Sequence, residues 1–219
     1  MNWTQYGIKL SLIQETDIEL IRNWRNNPAI NRYMEYRNFI TAEMQAEWFL
    51  NINNIQNFFF IIEHNEQKVG LISTSKINIQ TKTAECGIFI WHEQSVGSHV
   101  PVFAVLAMLN FVFYFLPVNT TCIKVHRENF KARRYNEALG YQPLTKTGIG
   151  ENLFLHYELT KENYLLNTEN LRKLGGKKVG NQAILNIGKN QHGIYLLQRL
   201  NETSLQQEIP FSLIVETDC

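Results

Sequence analysis

The chain has 219 residues, 44% of them apolar, and a formal net charge of +1. This composition excludes disorder, and the length suits one full domain with an appendage. Lys and Arg form no long basic stripe, which argues against nucleic acid as a partner, and three distant Cys (Cys86, Cys122 and Cys219) contain no CxxC pair, which argues against a disulfide scaffold or zinc site and for a reducing cytoplasm.

In chain order, the N-terminus lacks the charged-then-apolar layout of a signal peptide. Residues Tyr6–Leu12 alternate as an opening strand. Thr16 and Glu19 have the spacing of a capping box, predicting a helix to about Asn26 that Asn27-Pro28 interrupts. A second helical piece runs through Met34, and Thr41 caps a third, Ala42–Asn51. Three strands follow, Asn57–Glu63, Lys68–Ile79 and Thr83–Trp91, with a turn at His64–Gln67.

The loop His92–His99 leads to Val100–Leu116, where Asn110 is the one strongly polar residue and Pro101 suits the first helical turn. Such a helix reaches about 26 Å, short of a hydrocarbon core, and lacks clustered Lys or Arg at its ends. It reads as a helix buried on nearly all sides rather than a membrane span. The tail beyond Thr160, or a second copy of the chain in a homodimer, is expected to cover the face the sheet leaves open. Bare, that face would aggregate.

A short strand, Cys122–Val125, precedes a helix over Asn129–Leu139, which Gly140 ends. Asn152–Leu159 alternates as a closing strand. KLGGKKVGNQ, residues 173–182, reads as loop or linker. Ala183–Ile187, Ile194–Leu200 and Phe211–Val215 read as strands or short helices. Consecutive strands followed by strand–helix–strand predict a mixed α/β sheet with antiparallel hairpins, one parallel crossover and helices on its faces.

The segment Gln94–His99, QSVGSH, lies between a strand and a helix N-terminus, where outward N–H groups hold phosphate; Gly97 permits close backbone approach and Ser98 adds a hydroxyl. Alone, one glycine in a loop marks only a turn. Together, Gln-x-x-Gly after a strand and before a helix, then Asn129, Ala132 and Tyr135 followed by Gly140-Tyr141, resemble the GNAT superfamily of acetyl-CoA-dependent N-acetyltransferases. The front segments, IRNWRNNPAINRYM (21–34) and ITAEMQAEWF (40–49), look like its aminosugar-nucleotide and ribosomal-protein branches. The resemblance covers roughly residues 6–160, leaving 161–219 as a C-terminal extension to a GNAT-like domain over 1–160.

The resemblance implies acetyl-CoA as co-substrate and a primary amine as acceptor, with an aminosugar nucleotide slightly favoured over a protein N-terminal amine. It implies backbone donors for the oxyanion over Phe89, Ile90 and Trp91, and coenzyme contacts from Gln94, Ser95, Val96, Gly97, Ser98 and His99. It also implies Asn129 along the coenzyme chain, with Ala132 leaving it room, and Tyr135 facing its sulfur. It departs at His99, where the family has a small residue. Glu85, a carboxylate on a central strand, is the candidate general base. Trp24, Asn26 and Tyr33 are candidates for the acceptor pocket.

Plainer roles stand beside these. Asn129 is also a favoured helix cap, Tyr135 a buried ring with one hydrogen bond, and Glu85 an ion-pair partner. Cys86 reads as packing rather than as an acyl-accepting thiol. Ser95, His99 and Glu93 lack a nucleophile elbow, and His92 and His99 lack a third metal ligand. A rival reading keeps the fold as a non-catalytic binding module.

Overall fold

A computed structural model describes residues 1–144, 153–201 and 209–217. Among these described residues, ten strands form one mixed sheet.

The opening strand is a hairpin, β1 (Asn2–Gln5) and β2 (Ile8–Leu12), not the single strand expected from Tyr6. Tyr6 and Gly7 form its two-residue turn with φ of +53° and +73°, the left-handed pair such turns require. The predicted Thr16–Glu19 box is absent. The Asp17 carboxylate accepts the Gln14 N–H at 2.9 Å, and Glu19 pairs with Arg22 instead. Helix α1 spans Ile18–Arg25 and α2 only Pro28–Asn31, shorter than expected because residues 32–35 turn away. Helix α3, Ala42–Ile52, is capped by Thr41 as expected, its hydroxyl accepting the Met44 N–H.

Strands β3 (Phe58–His64), β4 (Gln67–Asn78) and β5 (Thr83–Ile90) run antiparallel. Helix α4, Val100–Phe115, crosses back to β6 (Thr120–His126), parallel to β5. Then come α5 (Phe130–Ala138), the short β7 (Gln142–Pro143) and β8 (Phe154–Thr160). Asn152, the first residue of the predicted closing strand, lies outside the described residues.

The segment after Thr160 is built into the fold. It forms α6 (Lys161–Asn167), α7 (Glu169–Val179), β9 (Gln182–Ile187), α8 (Gln191–Leu200) and β10 (Ser212–Thr217). β9 pairs antiparallel with β1, and β10 runs parallel to β9. The loop expected over 173–182 is mostly the C-terminal half of α7. Each glycine there lowers helix propensity by about 1 kcal/mol, but packing overrides it. A Cβ at Gly175 would stand 2.6 Å from the Tyr6 ring, so only glycine lets α7 approach the hairpin turn. The helix stops at Gly180, φ +89°.

The same segment covers α4. Tyr164 is fully buried; its hydroxyl lies 2.7 Å from Asn110 Oδ1, and its ring packs on Phe113. Phe211 packs on Tyr114 and Trp3. Asn110, the polar residue inside the apolar run, donates its Nδ2 to Gln5 Oε1 at 2.9 Å. One buried amide thus ties α4 both to the first hairpin and to α6. A satisfied polar group of this kind fixes the register that apolar contacts alone leave open.

His192 of α8 is a second tie. Its Nε2 lies 2.9 Å from the carbonyls of both Asn54 and Asn57, and the ring packs on Phe58. Burial pushes its pKa below the ordinary 6.5. The sign follows: the unfolded chain binds a proton below about pH 6.5 that the folded ring resists, so this contribution is complete above 6.5 and declines as pH falls from there. In urea melts at pH 7.5 and 5.5, the stability advantage of the wild type over His192→Gln is expected to be smaller at the lower pH. An advantage independent of pH would contradict it.

Candidate active site

The site arises where two parallel strands part. β5 and β6 are paired only from Thr83 to Glu85, opposite Thr120 to Cys122. Beyond that, β5 stays with β4 as far as Ile90, and β6 stays with β8 as far as His126. Two strands held by different neighbours open a wedge, and a cleft of about 730 Å³ fills it, lined from both faces of the sheet.

Strand edges in the wedge turn backbone groups toward the gap. The Trp91 N–H is given to Val69 O at 3.0 Å. By the two-residue alternation of a strand, Phe89 points the same way, toward β4, and the N–H groups of Ile88 and Ile90 turn to the gap. The expected donors over Phe89–Trp91 are therefore corrected: Phe89 and Trp91 are committed to β4, and Ile88, which the sequence reading passed over, joins Ile90. The Phe89 side chain does line the cleft. Trp91 is buried with its indole N–H on Lys68 O.

On the face of α4 and α5, Tyr135, Asn129 and Ala132 line the cleft. Asn129 caps α5, its Oδ1 accepting the Ala132 N–H at 3.2 Å. Gly140, φ +99°, ends that helix, and the buried Tyr141 hydroxyl meets Thr121 Oγ1 at 3.0 Å. The Tyr135 hydroxyl donates to Pro101 O at 3.0 Å, and burial raises its pKa, so the phenol holds its proton at neutral pH. Cys86, also in the lining, has its thiol pushed up to about 12 by burial, which rules against a nucleophilic thiolate.

On the face of α1–α3, Glu85 lines the cleft and pairs with Lys76 at 2.8 Å. Lys124 lies 3.9 Å from Glu85 and 3.0 Å from Glu35, and the Glu35 contact raises its pKa. Tyr33 stands over His126 with ring centroids 5.4 Å apart. Of the three acceptor candidates only Tyr33 lines the cleft. Trp24 stacks on Trp91 at 6.1 Å instead, and the Asn26 amide brackets Ile40, taking its N–H at 2.8 Å and giving Nδ2 to its carbonyl at 2.9 Å. Both are corrected to framework roles, holding the front helices to the sheet.

Arg25 lines the same face and was missed. Its Nε is buried with no hydrogen-bond partner among the described residues, and burial lowers its pKa. The one signal for it in the sequence is an arginine at the end of an otherwise amphipathic helix; Glu35 and Lys124 gave less, because their meeting depends on elements 89 positions apart.

The loop Gln94–His99 stands at the N-terminal end of α4, outside the cleft lining. Buried Ser95 is hydrogen-bonded to His92 Nδ1 at 2.9 Å, and Ser98 Oγ bonds Ser95 O and the Val100 N–H, so both hydroxyls brace the turn. Gln94 and Val96 are exposed. Gly97 has φ +80° and open space where a Cβ would project. The His99 ring packs on His64 and Phe103 at 5.5 and 5.3 Å, turned toward the end of β3.

The comparisons agree with this architecture. A family model described as "Acetyltransferase (GNAT) domain" matches residues 8–142. Acetyltransferase PseH from Campylobacter jejuni strain NCTC 11168 is 26% identical over 154 residues, 69% of this chain and 90% of that protein. Its counterpart in strain 81-176 is 29% identical over 122 residues, 55% of this chain and 73% of that protein. Among solved structures, apo FdhC, described as a nucleotide-linked sugar GNAT, superposes with a TM-score of 0.65 at 22% identity, covering 78% of this chain and 96% of that one. Spermidine N-acetyltransferase from Vibrio cholerae, in complex with CoA and spermine, superposes at 0.61 and 21% identity, covering 73% and 98%. No helix among the described residues is long and apolar enough to cross a membrane. A sheet split between two parallel strands, with a family match over more than half its length, makes this chain a member of the GNAT acetyltransferase family, an enzyme that takes acetyl-CoA as co-substrate.

Proposed function

We propose that the protein transfers acetyl from acetyl-CoA to a primary amine on an acceptor that carries an anionic group, an aminosugar nucleotide fitting best. Arg25 carries this reading. A guanidinium whose buried Nε has no hydrogen-bond partner among the described residues, on the acceptor side of the cleft, calls for a bound anion. The nucleotide-linked sugar GNAT among the structural neighbours supports the same choice. Residues 1–160 would carry the chemistry in the cytoplasm, with 161–219 as a brace.

In this reading the coenzyme enters from the α4–α5 face. Its diphosphate lies at the loop around Gly97, and its chain lies along Asn129 past the small Ala132. Glu85 takes a proton from the acceptor ammonium. The neutral amine attacks the thioester carbonyl, whose developing negative charge meets the Ile88 and Ile90 N–H groups. Tyr135, kept protonated by burial, swings from Pro101 O to the departing sulfur and gives it a proton.

A panel of amines assayed for thiol release tests it. A nucleotide-linked aminosugar is expected to outperform the free aminosugar, a polyamine and a peptide N-terminus. Arg25→Ala should raise KM for that acceptor roughly tenfold or more with little change in kcat, the scale of a hydrogen bond to a charged group. Preferred turnover of polyamines, or an unchanged KM, would reject the anionic acceptor. No thermal shift with acetyl-CoA would instead favour the non-catalytic module.

A further inference from the structure

One primary amine already stands in the cleft. Lys124 lies two residues past Cys122, which is opposite Glu85 in the last pair before β5 and β6 separate. Its Nζ reaches both carboxylate oxygens of Glu35, at 3.0 and 3.1 Å, and stands 3.9 Å from Glu85 Oε2. Its side chain is 26% exposed, against 68% for Lys76 and 65% for Lys173. Tyr135 lines the same cleft from the opposite face of the sheet. A lysine between two carboxylates at the parting of the strands occupies the surroundings that an acceptor amine needs.

We propose that Lys124 is a site of self-acetylation, its ε-amine receiving the acetyl group of coenzyme bound in its own cleft. The inference rests on the acetyl-transfer reading above. Glu85 takes one proton from the Lys124 ammonium, and the nitrogen lone pair attacks the thioester carbonyl. The C–N bond forms and the C–S bond breaks. The second nitrogen proton leaves with the thiol, so the products are an acetylated lysine, free coenzyme A thiol and one proton released to solvent. No oxidant or further reactant is required.

The step has a structural consequence. The amide of acetyl-lysine is neutral and no longer forms an ion pair with Glu35. The ion pair joining residues 32–40 to β6 across the cleft is lost, and among the described residues Glu85 is left with Lys76 as its ion-pair partner. An ordinary ion pair, the plainer role for Lys124, predicts no covalent change.

The test is incubation of the full chain with acetyl-CoA and no acceptor, followed by peptide mapping for added acetyl. Lys124 is expected to label at least about tenfold faster than exposed Lys76 and Lys173, as held proximity dictates. Lys124→Arg keeps the cation at this position and should abolish the cleft label without changing that at Lys76 and Lys173. Tyr135→Phe should slow Lys124 labelling as much as it slows turnover of an external amine. Labelling that follows exposure, or an unlabelled Lys124 in protein that releases thiol with an amine, would overturn self-acetylation and leave the enzyme reading intact. Protein that neither binds acetyl-CoA in a thermal shift nor releases thiol with any amine would defeat both.

Discussion

A chain cut after Thr160 is expected to lose its fold rather than shed a dispensable tail. The cut removes Tyr164, Ala183, Leu185 and Leu196, each fully buried, and strands β9 and β10, which extend the sheet beyond β1. Burying a large apolar side chain contributes about 1.5–3 kcal/mol. Losing several, and stripping the surfaces they cover on α4, matches or exceeds the roughly 5–15 kcal/mol that separates a folded domain from its unfolded chain. Asn110 would also lose the Tyr164 hydroxyl, leaving a buried acceptor short of a partner at a cost of about 1–3 kcal/mol. Expression in the soluble fraction and a circular-dichroism melt measure this. A soluble 1–160 chain melting with the full-length protein would show that α4 needs no cover.

The second large effect concerns chemistry rather than stability. Tyr135→Phe is expected to lower kcat roughly 10²-fold or more, the usual contribution of a positioned acid, while KM for acetyl-CoA changes little. Removing the hydroxyl also removes its bond to Pro101 O, costing about 1 kcal/mol of stability, too little to unfold the protein. The thermal shift produced by acetyl-CoA should therefore persist in the variant. Glu85→Gln should match the loss in kcat, with a smaller deficit at high pH, where the acceptor amine is neutral without help. Unchanged turnover in Tyr135→Phe would remove the phenol from the mechanism.

The two predictions divide the chain unevenly, and its legibility divides the same way. The strands β3 to β6, the apolar helix α4 and the helix opened by Asn129 and closed by Gly140 stand in the residue pattern, because alternation, apolar runs and caps are local. The same patterns separate the two motif segments that carry the family resemblance. The first hairpin was harder. Its turn uses Tyr6 at positive φ, a conformation the residue type does not announce. Helix α7 contradicts its own glycines, since Gly175 answers to the Tyr6 ring rather than to helix propensity.

Asn26 and Trp24 show why the acceptor side was harder still to read. Both lie in the front segment whose sequence resembles the aminosugar-nucleotide and ribosomal-protein branches of the family, yet one holds Ile40 and the other stacks on Trp91. Arg25, beside them, is the residue that lines the cleft. One step around a helix turns a side chain by about 100°, and spacing alone does not show which step meets the wedge. Local order along the chain therefore indicated the element types from β3 to α5 and the family, but not the hairpin at Tyr6 or helix α7. The opening between β5 and β6, the amide pair at Ile88 and Ile90, and the meeting of Glu35, Lys124 and Glu85 depended on how distant segments pack, since each is a relation across space between groups whose positions along the chain carry no trace of one another.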